Sequence, residues 1–150
     1  MLDLCEQAPD GRWLLYRHHL EDSPEGCRTS IVGLVPNPKM VAVVEHALKS
    51  ADVGVRLVRH PGSKTPTPGW NGKPPVARAS SAAFELVEQA DGRVMLYLRT
   101  ASGTHAMGWV HPRDITGNRE DGAALTRALQ GAITATGAAA ELQQAVVVGL

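Results

Sequence analysis

Histidine and cysteine are the residue types here best suited to chemistry near neutral pH, and the chain holds six histidines and two cysteines in 150 residues. Imidazole titrates near neutrality and ligates metals, and a thiolate is a nucleophile. Spacing decides whether they can act together. His105 and His111 lie six residues apart in one predicted strand. An unbroken strand sets such residues on one face about 20 Å apart, too far to share an ion. His111 and Asp114 can face each other across a turn, where Asp114 is expected to cap the local backbone. His18 and His19 alternate to opposite faces, so only one of them can join a site. His46 falls beside the apolar stripe of a predicted helix and reads as a partly buried structural residue. None of these has the ligand spacing of a metal site. Cys27 follows Gly26 at a turn, and His18 or His19 can oppose it across a hairpin, as a Cys–His nucleophile requires. Any hairpin with one Cys and a nearby His offers the same coincidence. The chain has no G-x-S-x-G, H-E-x-x-H or phosphate-binding glycine loop. The residues therefore assign no catalytic group, metal or cofactor. The expectation is a non-enzymatic chain, with a small Cys/His enzyme as an alternative.

Charge points elsewhere. Fifteen Lys and Arg balance fifteen Asp and Glu, which excludes a uniformly cationic nucleic-acid binder. The balance is segmental. Residues 1–25 carry six acids and two bases, whereas residues 53–84 carry Arg56, Arg59, Lys64, Lys73 and Arg78 and no acid. Within that basic segment, residues 61–75 hold five prolines and three glycines. Prolines cannot donate to a ladder and restrict the residue before them, so this is a long loop. Trp70 sits in it, flanked by Gly69, Asn71 and Gly72. A Trp with neighbouring cations is typical of interface hot spots. The same groups could pair with phosphates while Trp70 stacks on a base. The candidate binding residues are therefore Trp70, Arg56, Arg59, Lys64, Lys73 and Arg78.

The elements that must position these groups follow from periodicity. Residues 12–19 are aromatic-rich and read as a strand. Ser23-Pro24-Glu25-Gly26 is a turn, and residues 27–35 form a second strand, giving a hairpin. Asn37 and Pro38 suit the N-cap and first position of a helix. Met40, Val43, Val44, Ala47 and Leu48 make its buried face. Residues 53–59 alternate as a strand. Residues 83–89 and 94–99 are strands joined at Asp91-Gly92. Ser102-Gly103 turns the chain into a last strand, residues 105–111. A helix starts at Asn118, buries Leu125, Ala128, Leu129, Ala132 and Ile133, and ends near Gly137. Residues 138–148 read as a further short helix rather than a strand. No internal repeat is visible.

Taken together, residues 53–116 resemble a bacterial SH3 domain. Val55-Arg-Leu-Val-Arg-His-Pro-Gly-Ser63 looks like that family's opening strand and turn. Phe84-Glu-Leu-Val-Glu88, Asp91-Gly92, the strand from Val94, then Gly108-Trp109-Val110 and Asp114-Ile115 follow in the family's order. The resemblance covers about 64 residues. It departs at the reversed Pro61-Gly62, at Val94 and Met95 where the family often carries an aromatic pair, and in a longer loop after Ser63. It implies a small β-barrel that binds peptides or cell-wall material without catalysis. Trp109 is expected to plug the barrel core, with Gly108 allowing close backbone approach.

The expected architecture is α+β. Residues 1–52 form an N-terminal hairpin and helix, 53–116 an SH3-like β-barrel, and 117–150 a C-terminal helical segment. The expected function is protein interaction through Trp70 and the basic loop. A nucleic-acid-associated protein using residues 53–84 is the second reading. The C-terminal helices offer a surface for homo-oligomerisation. Residues 1–10 read as no secretory signal, and no run reaches the roughly 18 apolar residues that cross a bilayer. Two isolated cysteines read as free thiols, so the expected compartment is the cytoplasm.

Overall fold

The structure, a computed structural model, describes residues 2–7, 11–20, 27–36, 38–63, 83–136 and 139–144. The predicted turn at 23–26, the Asn37 cap, Gly137 and most of the Pro/Gly-rich loop lie outside them. The chain builds strands β1 (Leu2–Glu6), β2 (Trp13–Leu20) and β3 (Cys27–Val35), helix α1 (Pro38–Ser50) and strand β4 (Val55–Val58). It then builds β5 (Ala83–Glu88), β6 (Val94–Thr100), β7 (Gly103–Val110), the one-turn α2 (Pro112–Thr116), α3 (Arg119–Ala135) and β8 (Ala139–Gln144). The eight strands make one open mixed sheet in the order β4-β1-β2-β3-β7-β6-β5-β8.

This order overturns the SH3-like barrel. A barrel from residues 53–116 needs β4 beside the strands that follow it. Instead β4 pairs in parallel with β1 at one rim of the sheet, while β5, β6 and β7 lie in the other half. Three strands from the N-terminal part stand between them. The C-terminal expectation also changes. Residues 139–144 form strand β8, paired in parallel with β5, rather than a second helix. Backbone pairing at an open rim outweighed the helix propensity of the alanines.

The sheet is built from two copies of one unit. Each copy is a three-stranded antiparallel meander, a helix, and a last strand parallel to the first. The sequences align once this is seen. Glu6-Gln7-Ala8 and Asp10-Gly11-Arg12 correspond to Glu88-Gln89-Ala90 and Asp91-Gly92-Arg93. Leu15-Tyr16 corresponds to Leu96-Tyr97, and Gly33-Leu34-Val35 to Gly108-Trp109-Val110. The first turn repeats bond for bond. The Gln7 N–H donates to the Arg12 carbonyl at 2.6 Å, and the Gln89 N–H to the Arg93 carbonyl at 2.7 Å. Gln7 Nε2 donates to the Cys5 carbonyl at 3.2 Å, and Gln89 Nε2 to the Val87 carbonyl at 3.3 Å. Both turns close on a glycine with positive φ, 74° at Gly11 and 92° at Gly92. The register shift between Leu15 and Tyr16 recurs between Leu96 and Tyr97. The halves meet where β3 pairs with β7, and Leu34 lies opposite Trp109. These two are equivalent positions, so an internal two-fold axis passes through their pair. The absence of a repeat expected from the sequence is thus corrected.

Helices α1 and α3 lie on one face of the sheet and pack on each other. The core sits between them and the strands. Leu4, Trp13, Leu15, Phe84, Leu86 and Leu96 point up from the sheet, and Met40, Val44, Leu48, Leu125, Leu129 and Ile133 point down from the helices. Val41 is buried as well, because α1 faces α3 as well as the sheet. Ala128 is only half-buried. Asn118 caps α3, its side chain accepting the Asp121 N–H at 2.7 Å. No described helix is long and apolar enough to cross a membrane.

A candidate protein-docking face

Alternation along a strand sends every second side chain to the other face. With helices on one side, the second face carries Cys5, Leu14, Leu34, Trp109, Met95 and Val87. Register places these six in one row, each beside the next across five strand pairings. The internal axis exchanges Leu34 with Trp109, Leu14 with Met95, and Cys5 with Val87. Tyr16 and Tyr97, another exchanged pair, flank the row. All eight are half-buried, and none of the described helices packs over them. Ile31, opposite Tyr16, is 52% exposed.

Charged groups flank the apolar row on this face. Arg56 on β4 makes a fork to Asp3, with Nε 3.1 Å from Oδ1 and Nη2 2.9 Å from Oδ2. The Asp3 carboxylate raises the Arg56 pKa through that hydrogen bond. Glu85, the counterpart of Asp3, pairs instead with Arg99 on β6. Arg93 lies 5.3 Å over the Trp109 ring centre, a cation–π contact. Its backbone N–H also donates to Asp91 Oδ1 at 3.0 Å, which with the guanidinium holds the Asp91 carboxyl below its usual range. An apolar centre with a charged rim is the composition of a protein interface.

The residues singled out from sequence fall differently. Trp70, Lys64, Lys73 and Arg78 lie outside the described residues. Arg56 is committed to Asp3, and Arg59 Nη2 donates to Ser63 Oγ at 2.7 Å. Trp109 is no core plug. It is half-buried on the face opposite the core, while Gly108 beside it does make the close backbone approach, against the Leu34 carbonyl. The sequence signal for this face was the strand alternation itself, in which Met95, Tyr97 and Trp109 fall on one side. What hid it was the assignment of Trp109 to a barrel core.

The histidines do not converge. The register shift adds Met107 to β7 between His105 and His111 and breaks the alternation expected to align them. His105 is exposed and 3.4 Å from Ser102 Oγ. His111 is the cap expected of Asp114. Its Nδ1 accepts the Asp114 N–H at 3.3 Å, so Nε2 donates to the Asp91 carbonyl at 2.9 Å. Among the described residues no group of three or more His, Cys, Asp or Glu side chains could hold a metal. The side chains of His18, His19 and Cys27 lie outside the described ones. Backbone register pairs Cys27 with Leu20 and Cys5 with Leu14, about 20 Å apart along β2. A disulfide needs Cα atoms within about 7 Å, so this fold excludes one between them.

Cys5 is a free thiol, and burial, then the Asp3 charge, raises its pKa against the opposing pull of Arg56. The thiolate is the reactive form. Alkylation of Cys5 by iodoacetamide is therefore expected to be slower than that of an unstructured thiol at pH 7.5. Its rate should still be climbing above pH 9. A plateau below pH 8 would contradict this placement. No family model, curated protein or solved structure matches the chain.

Proposed function

We propose that this chain is a non-enzymatic protein-interaction module that docks a protein through the sheet face centred on Leu34 and Trp109. The partner surface has an apolar centre that covers the row from Cys5 to Val87. One observation carries the reading. A row of apolar side chains crosses the face opposite the helices, and among the described residues no helix covers it. Monomeric proteins seldom leave apolar patches of several hundred Å² exposed without a use for them. Arg93 over Trp109 supplies the aromatic–arginine pairing that recurs in hot spots. The nucleic-acid reading has less support, since Arg56 shares its charge with Asp3 and an acid, Glu141, stands at the equivalent place on the opposite rim. The module is placed in the cytoplasm, where thiols such as Cys5 stay reduced.

A photoreactive side chain at Ile31, and separately at Arg127 on the exposed side of α3, tests this reading. In concentrated host extract, protein adducts are expected from position 31 only. Excess unlabelled chain should compete away adducts to any other protein, and excess chain carrying Ile31→Lys should not. Equal adducts from both positions, or none from position 31, would rule the face out as a docking surface.

A further inference from the structure

The partner of this face can be narrowed from its dimensions and its charges, an inference that rests on the docking reading above. Eight strands about 4.8 Å apart, each about five residues long at about 3.3 Å per residue, give on the order of 600 Å². Two such faces would bury about 1,200 Å² together, the lower end of specific protein interfaces. A face that is two-fold symmetric within itself also suits an isologous contact, in which the same patch serves both partners.

The rims choose the orientation. Arg56 on β4 and Glu141 on β8 occupy equivalent positions of the duplicated unit, since Arg56 pairs with Asp3 and Glu141 with Glu85. The sign is inverted between them. In the first half the pair is Arg56 with Asp3, an ion pair. In the second half Glu141 stands directly opposite Glu85, a like-charge cross-strand pair that costs stability. Arg99 serves Glu85. Glu141 is exposed and has no ion-pair partner among the described residues. Arg56 is committed on one side to Asp3, yet its side chain is 65% exposed. Arg56 and Glu141 stand about 6.6 Å from the central row on opposite sides of it, so a second copy turned about an axis inclined about 20° to the central strands lays each Arg56 over a Glu141. Turning it about the perpendicular axis would lay like rim over like. We infer that this face docks a second copy of the same chain, face to face, with the Arg56 rim of each copy over the Glu141 rim of the other.

Sedimentation equilibrium of the full chain from about 1 to 500 μM tests this, with folding checked by circular dichroism. A dimer with a dissociation constant on the order of micromolar is expected. Ile31→Lys should weaken it at least a hundredfold. Glu141→Arg should weaken it about tenfold without lowering the melting temperature, because it relieves Glu85 while opposing the partner's Arg56. Arg127→Glu, on the helix side, should leave it unchanged. A monomer at every concentration overturns the inference. So does a dimer that Ile31→Lys or Glu141→Arg leaves intact. In either case, adducts from position 31 to a different protein would leave the docking reading standing, and their absence would remove both.

Discussion

Gly108→Ala is expected to cost about 3–5 kcal/mol, a third or more of the stability of a typical domain. Two effects add. Gly108 has φ 129°, in the region that only glycine adopts without strain. A non-glycine residue there costs on the order of 1–3 kcal/mol. A Cβ at this position would also overlap the Leu34 carbonyl oxygen and press on Pro36 Cδ at 3.2 Å. The carbonyl belongs to the backbone of the neighbouring strand and cannot rotate away. Relief would require β7 to part from β3 at the seam joining the two halves. The duplicated unit supplies an internal control. Gly33 is the counterpart of Gly108, and its Cβ would meet the Trp109 carbonyl oxygen and Leu15 Cβ, each at 3.1 Å. Its φ lies outside the positive region. Gly33→Ala is therefore expected to cost only about 1 kcal/mol. Urea unfolding of both variants checks the difference. Equal costs would show that the seam yields, and the asymmetry argued here would be wrong.

Trp13→Ala should be comparably severe, about 3–5 kcal/mol, by the loss of buried area and the cavity left behind. Trp13 opens β2 and is 1% exposed. Its counterpart in the second unit is Val94, also 1% exposed but far smaller. The two halves thus fill equivalent sites with different volumes, and the first half leans on one large ring. Val94→Ala removes fewer atoms and is expected to cost less than half as much. Thermal unfolding of the pair is the check. A Trp13→Ala protein as stable as Val94→Ala would mean that α1 and its neighbours collapse into the space.

Much of the local structure was legible in the sequence, because periodicity and turn chemistry are local. The β2–β3 hairpin, α1 from Met40 to Leu48, the Asp91-Gly92 turn and the Asn118-capped α3 all follow from such signals. Neighbourhood in the sheet is not local. Residues 55–58 and 83–88 are consecutive strands in the described chain, yet the sheet holds them in opposite halves. Nothing in their own patterns states which strand each one pairs with. The first strand was missed because Leu2-Asp-Leu-Cys-Glu6 is short and alternates only twice. Comparing it with Phe84-Glu-Leu-Val-Glu88 would have exposed it, as would the shared Glu-Gln-Ala before each Asp-Gly-Arg. The Gly-Trp-Val step that suggested an SH3-like domain has a counterpart at Gly33-Leu34-Val35, where the same strand lies at the seam. That step marks the centre of a duplicated sheet, where a glycine lets two backbones close up and the next residue faces outward.

The site was legible in part for the same reason. Alternation placed Met95 and Tyr97 on a common face, but only the topology shows that this side is opposite the helices. Cys5 and Leu14 join it from strands whose pairing the sequence leaves open. Cations were over-weighted, since net charge counts Arg56 as wholly free when Asp3 pairs with it on one side.

The central claim is that protein partners cover the face around Trp109 and leave the helices bare. Hydroxyl-radical labelling read by peptide mass spectrometry tests it directly, with the full chain labelled dilute in buffer and again, itself concentrated, in concentrated extract of its host. The account predicts protection of Met95, Tyr97 and Trp109 in the extract, and unchanged labelling of the exposed side of α3 around Arg127. Equal labelling of Trp109 in both conditions, or protection that falls on α3 instead, would contradict it.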